Sequence, residues 1–193
     1  MLSPTFIPAL QSFPHVRLLI SLLDRFPQDA RWALTCGSAL ALHGLKYVPS
    51  DLDFFAPIED LHRITNGLCD LQVVFPMKWR TSKRFHSYWG RFLVEGTEVD
   101  LVGDFSARHE GVSIAWNAAH PCWRRLCLAR LGDSTVRMFS LEDLFMLYLA
   151  LRNEDAKLRL IASALRNRGC DGEYLESCGN RWPMFRKRLQ TLM

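Results

Sequence analysis

The sequence predicts an α+β protein: a strand-and-helix half over residues 1–139, followed by a helical region over 140–193 packed on it. Three observations carry this prediction. Short apolar runs of strand length alternate with segments of helical period up to Phe139. Glycine-centred turns at Gly96-Thr97 and Gly132-Asp133 join four of these runs into two hairpins. From Ser140 the pattern is helical throughout, with Ser140 as N-cap and Asp143 three residues later resembling a capping box. The chain of 193 residues is long enough for one core. No repeat, low-complexity tract or long linker separates the halves, so they are expected to pack as one unit.

The elements follow in order. Val16, Leu19, Ile20, Leu22 and Leu23 fall at helical spacing between Pro14 and Phe26. RWALT at 31–35 reads as a strand running into Gly37-Ser38 and the helix-like ALALHGL. LKYVPS is a loop, DLDFFA at 51–56 a second strand, and IEDLHRITNGLCDL a helix with Ile58, Leu61, Ile64 and Leu68 on one side. RFLVEG and TEVDLVGDF form the first hairpin; WRRLCLARL and STVRMFS form the second. SLEDLFMLYLALRNEDAKLRLIASALRNRG reads as one helical run, and EYLESC and RWPMFRKRLQTL as short helices after it.

Composition narrows the function classes. Almost half the residues are apolar and mean hydropathy is −0.02, which argues for a packed globular chain and against wholesale disorder. A net charge of +4 and a pI of about 8.8 give a mild basic bias that suits an anionic partner without requiring one. Pro4, Pro8, Pro14 and Arg17 interrupt the N-terminal apolar stretches, so neither a signal peptide nor a membrane span is expected, and a cytoplasmic location is. Cysteines at 36, 69, 122, 127, 170 and 178 form no C-x-x-C pair and no zinc-spaced Cys/His pattern. They read as reduced thiols.

The chemistry concentrates in CGSALALHGLKYVPSDLDFF, residues 36–55. Side chains alternate across a strand, so Asp51 and Asp53 project together while Leu52 points away. Magnesium takes oxygen ligands and is commonly held by a few carboxylates together with substrate phosphates. Asp100, between Val99 and Leu101 on a later strand, is placed to be the third carboxylate; Asp104 nominally shares its face but lies where a turn is expected. Gly37 and Ser38, at a strand-to-helix junction, leave backbone N–H groups suited to a phosphate. Taken alone, the D-x-D also fits a capping Asp51 and an Asp53 paired with a basic side chain; the Gly-Ser before it and the strand aspartate after it favour the site.

A second candidate is MKWRTSKRFHSYWGRF, residues 77–92, where Lys78, Arg80, Lys83, Arg84 and Arg91 interleave with Trp79, Phe85, Tyr88 and Trp89 and no acid intervenes. Cations beside aromatic faces suit single-stranded or looped RNA. A solvated loop anchored by its aromatics fits the same residues.

The order G-S, D-x-D and a later strand aspartate resembles the signature of the DNA polymerase β-like nucleotidyltransferase superfamily. Within it, residues 36–55 look most like the AbiEii/MenT-type toxins, whose motif reads approximately GGTALALHLGHRxSxDLDFF. FSLEDLFMLYLALRNED is similar to the helix that carries L-x-D-L, a lysine and then R-x-x-D in that family. The resemblance implies a nucleotidyltransferase fold with a mixed, mainly five-stranded sheet and a helical C-terminal part. It implies that Gly37 and Ser38, with Arg152 and Asp155, bind the nucleotide, and that Asp51, Asp53 and Asp100 hold Mg2+. The activity implied is transfer of a nucleoside monophosphate from an NTP to an acceptor hydroxyl, the end of a tRNA or other RNA, by the toxin of a toxin–antitoxin pair with a cognate antitoxin. Lys78, Arg80, Lys83 and Arg84 would meet the RNA. Two departures stand out. Cys36 replaces the first glycine, and Tyr148 or its neighbour Leu147 occupies the position of the helix lysine, leaving Arg137, Lys46 or Arg152 as candidate substitutes. The alternatives are a small hydroxylated acceptor, such as an aminoglycoside or lincosamide, and a degenerate transferase acting as a binding partner.

Overall fold

The structure, a computed structural model, describes residues 14–109, 112–151 and 155–193. One mixed sheet organises the chain. β1 (Ala33–Thr35) runs directly into α2 (Cys36–Leu42), and β2 (Asp51–Ala56) returns antiparallel to β1. β2 then lies parallel to β5 (Thr97–His109), with α3 (Ile58–Gly67) between them in sequence. β3 (Gln72–Thr81) and β4 (Phe85–Val94) form a long hairpin whose second strand pairs with β5, and β6 (Val112–Trp116) pairs with the far end of β5. β7 (Cys127–Leu131) and β8 (Ser134–Met138) form a second hairpin that joins β1 in parallel. The order is β3-β4-β5-β2-β1-β8-β7, and β6 brings the total to eight strands, against the five expected. β3 and β6 account for most of the excess, because residues 72–90 and 112–116 were not read as strands.

The two faces of the sheet are covered differently. Leu52 and Phe54 of β2 face α1 (Val16–Leu23) and α3; the rings of Phe26, Trp32 and Phe54 meet edge-on at 5.1 to 6.0 Å, and Leu61 of α3 lies over Gly103. On the other face Phe55 packs with Trp123 and Phe139. α4 (Leu141–Leu151) is buried from Leu141 to Ala150 apart from Glu142, which is why it reads as hydrophobic all round. The helical run expected over 140–169 is two helices, α4 and α5 (Asp155–Arg168); residues 152–154 between them lie outside the description. α6 (Gly172–Arg181) and α7 (Pro183–Leu192) complete the fold. Among the described residues no helix is long and apolar enough to cross a membrane.

A buried carboxylate fastens the helices to the sheet. The Ser140 hydroxyl accepts from the Asp143 amide at 3.1 Å, so Ser140 caps α4 as expected; the Asp143 carboxylate answers through that hydroxyl, which donates to Oδ2 at 2.6 Å. Tyr174 Oη of α6 donates to Asp143 Oδ1 at 2.5 Å, and Arg125, ahead of β7, lies 3.5 Å from Oδ2 and over the Tyr174 ring. Asp143 is fully buried, and burial raises its pKa. Removing one partner of a buried ion pair leaves an uncompensated charge. Arg125→Met is therefore expected to lower stability by about 3 kcal/mol, read as a fall in the urea midpoint. An unchanged midpoint would mean that Ser140 and Tyr174 satisfy the carboxylate by themselves.

Candidate active site

The junction of β1 with α2 sets one wall of the site. Cys36 adopts φ +51°, the left-handed region that favours glycine, so the residue standing where the resembling family has its first glycine carries backbone strain, about 1–2 kcal/mol for a side chain in that region. A Cβ at Gly37 would lie 2.6 Å from Cε1 of Tyr47, so any other residue there has to displace that ring. Ser38 is fully buried, and its hydroxyl donates to the Asp51 carbonyl at 2.6 Å. That hydroxyl is thus engaged by the strand backbone. Its role in the structure is to fasten α2 to the start of β2.

The register of four strands then assembles the carboxylates. Asp53 pairs with Thr35 of β1 on one side and with Asp100 of β5 on the other, and Asp100 pairs in turn with Arg91 of β4. Cross-strand partners share a face, and Asp51 lies two residues from Asp53, so all three aspartates project from the same side of the sheet. Asp104 does not join them. It takes φ +45° beside a register shift of β5 against β4, and its carboxylate lies near Glu59 and the Ile58 amide at the start of α3.

Asp100 meets Arg91 through two hydrogen bonds, Nε to Oδ1 at 2.6 Å and Nη2 to Oδ2 at 2.9 Å, while Arg91 Nη1 donates to Glu98 at 2.5 Å. A second cation comes from α5, the helix that Asp155 begins. Lys157 of α5 places its ammonium 4.9 Å from the Tyr47 ring centre and 5.3 Å from that of Tyr148, and its charge opposes ionisation costs at Asp51 and Asp53. Tyr148 thus stands beside a lysine supplied from the next helix. The proposed substitutes are placed elsewhere: Arg137 donates to the Ala30 carbonyl at 2.8 Å, Lys46 is exposed, and Arg152 lies outside the described residues. Asp155 begins α5.

Electrostatics mark the cluster as short of positive charge. Burial, and then the Asp100 charge, raises the Asp51 carboxyl above its ordinary range; burial, and then Asp51 and Asp100, pushes Asp53 well above it. Among the described residues no three acidic, histidine or cysteine side chains already converge as metal ligands, and both oxygens of Asp100 are turned to Arg91. The donor set of Asp51 and Asp53 still fits a hard divalent cation, which prefers carboxylate oxygens and relieves like-charge repulsion.

The basic-aromatic stretch is the β3–β4 hairpin, and its interleaving is the alternation of a strand. Lys78 pairs with Trp89 and Arg80 with Ser87, which puts Lys78, Arg80 and Trp89 on the aspartate side with Arg91. The Arg80 guanidinium lies 4.3 Å from the Trp89 ring centre and 5.5 Å from that of Phe75. Trp79, His86 and Tyr88 occupy the opposite face, Trp79 stacked on His86. Lys83 is exposed near the hairpin tip; Arg84 donates to the Leu151 carbonyl at the end of α4, so it serves the fold directly. A cavity of about 520 Å3 between α6 and α7, lined by Leu175, Gly179 and Leu189, contains none of these residues, so its volume does not point to the chemistry.

No protein-family model and no curated protein matches the sequence. Solved structures do match. A nucleotidyltransferase candidate from Thermotoga maritima is 23% identical over 74% of this chain and 88% of its own, with a TM-score of 0.64. The fold is the nucleotidyltransferase fold. The antibiotic-resistance factor ANT(2'')-Ia shares it at 16% identity, 92% and 94% coverage and TM-score 0.55. So does the lincosamide antibiotic adenylyltransferase LnuA in its lincomycin-bound form, at 13% identity, 79% and 94% coverage and TM-score 0.50. At these identities the likeness is one of fold.

The raised Asp53 pKa has a stability consequence of definite sign. A carboxyl whose folded pKa lies above its unfolded 3.8 stabilises the fold when protonated, and that contribution is lost as pH rises through the folded value. At neutral pH an ionised Asp53 therefore opposes folding of the metal-free protein. Asp53→Asn is expected to raise the metal-free Tm at pH 7 by a few degrees, with the gain vanishing below pH 3.8. A lower Tm at pH 7 would show that the fold needs the carboxylate.

Proposed function

We propose that the chain is a magnesium-dependent nucleotidyltransferase that moves a nucleoside monophosphate from an NTP to an acceptor hydroxyl. The observation that carries this reading is the row of Asp51, Asp53 and Asp100 on one face of adjacent strands, within a nucleotidyltransferase fold. In the reaction the acceptor oxygen attacks the α-phosphorus as the bond to pyrophosphate breaks, and the hydroxyl proton passes to a carboxylate, assigned here to Asp100. Asp51 and Asp53, with Asp100 as the third carboxylate, would hold the magnesium, which when bound offsets charge on the reacting phosphate. Lys157 faces the same space and answers the triphosphate charge. Its presence beside Tyr148 supports a catalytic over a degenerate transferase, because it supplies the cation that α4 lacks. Gly37 keeps the α2 junction close to Tyr47, while Arg152 and Asp155 are assigned to the nucleotide on resemblance alone.

The acceptor in this proposal is an RNA end, that of a tRNA, and the protein is a cytoplasmic toxin held in check by a cognate antitoxin. The AbiEii/MenT-like run at 36–55 supports the toxin assignment. Lys78 and Arg80, continuing the aspartate face toward the sheet edge, support an RNA strand. A small hydroxylated acceptor is the second reading, favoured by the fold likeness to LnuA and ANT(2'')-Ia.

Asp51→Ala and Asp53→Ala are each expected to abolish incorporation of labelled nucleotide into cellular RNA while circular dichroism stays native; activity in both variants would sink the mechanism. Lys157→Met should raise KM for the NTP roughly tenfold or more, the size of a lost hydrogen bond to a charged group. Lys78→Glu with Lys83→Glu should impair labelling of RNA and leave NTP binding intact. Equal RNA labelling by that double variant would favour the small acceptor.

A further inference from the structure

Asp100 enters the site already engaged. Two nitrogens of Arg91 reach its two oxygens at 2.6 and 2.9 Å, in the parallel fork that makes arginine–carboxylate pairs strong. Asp100 is buried at 7% exposure, so the pair is partly shielded from water. The pairing is built into the sheet, because Arg91 and Asp100 are direct cross-strand partners and no side-chain rearrangement at a loop is needed to form it. Glu98 takes the remaining edge of the guanidinium at 2.5 Å, and the Trp89 ring centre lies 5.6 Å from it. The acidic partners Asp100 and Glu98 hold Arg91 firmly charged.

A guanidinium fork and a divalent cation compete for the same two oxygens. We propose that Arg91 is the resident counter-ion of the site and a positioning residue that yields Asp100 to the divalent cation. In the cation-free protein the fork holds Asp100 in register beside Asp53. When the cation arrives, Arg91 keeps Glu98 and the Trp89 face and withdraws its other edge from Asp100. Glu98 is the second seat that makes the exchange feasible: its side chain is 46% exposed, so it can follow the arginine outward. Arg91 thereby weakens cation binding to the empty site and ties the loading of the site to the position of β4. The inference rests on the metal assignment made above for Asp51 and Asp53.

The test titrates Mn2+ into full-length protein without nucleotide and reads the free ion by electron paramagnetic resonance. Arg91→Met is expected to bind Mn2+ about tenfold tighter than wild type, the order of a charge-assisted pair removed from competition. Its metal-free Tm should fall and its Mn2+-induced rise in Tm should grow. The gain should disappear when Asp100→Asn is added, because the contested oxygens are then gone. Equal or weaker Mn2+ affinity in folded Arg91→Met overturns the proposal, and so does a gain that persists with Asp100→Asn. Should the methionine variant fail to fold, Arg91→Lys decides, since an ammonium cannot span both oxygens and is expected to give a smaller gain of the same sign. Binding by wild type that is lost in Asp53→Asn leaves the metal assignment standing however Arg91 behaves. No Mn2+ binding by any variant, even with a non-hydrolysable NTP, defeats both.

Discussion

Bringing three carboxylates to one face of a central sheet is the constraint around which the rest of the molecule is arranged. Desolvating a charge costs several kcal/mol, and like charges on neighbouring strands add to that. The fold meets this cost with apolar packing elsewhere: each fully buried Leu or Phe contributes about 1.5–3 kcal/mol, and Leu52 and Phe54, which alternate with the aspartates on β2, are both fully buried. Strand alternation lets one segment do both jobs. It also explains why Asp51 and Asp53 keep partial exposure while Leu52 and Phe54 have none.

The two cations come from different elements. Arg91 comes from β4 and meets Asp100, the most buried carboxylate of the row; Lys157 comes from α5 and lies over the rings of Tyr47 and Tyr148. A fixed planar fork suits a partner whose place is set by the strand register, whereas an ammonium on a flexible stem can turn to more than one acceptor. The β3–β4 hairpin extends the same logic outward, with Arg80 sandwiched against Trp89 and Lys78 exposed beyond it.

Much of this was legible from local patterns. The D-x-D spacing places Asp51 and Asp53 on one face, and Ser140 with Asp143 marks the start of α4, both through interactions within a few residues; alternation turns Asp100 away from Val99 and Leu101, and the β2–β5 register then sets it beside Asp53. What stayed hidden depends on tertiary contact. Lys157 is nine residues beyond Tyr148 and belongs to the next helix, so no spacing rule along one helix brings its ammonium to the Tyr148 ring. Arg91 was read as one more cation of a basic stretch, since nothing local reveals that register sets it opposite Asp100. β3 is an edge strand with no buried face, so its sequence carries no polar–apolar alternation, and Pro76 falls among its register shifts. That the Ser38 hydroxyl donates to the Asp51 carbonyl is likewise a contact no local pattern announces.

The cysteines divide into two chemical populations. Burial, and then the charge of Asp53, keeps the Cys36 thiol protonated far above its usual range, and burial pushes Cys122 well up and Cys127 and Cys178 to about 11. Cys69 and Cys170 are exposed. A thiol-directed dye at neutral pH therefore has two handles, one just beyond α3 and one between α5 and α6, on the sheet side and the helical side of the molecule. A fluorophore pair attached there would report motion between these parts while leaving the thiol beside the aspartates unmodified.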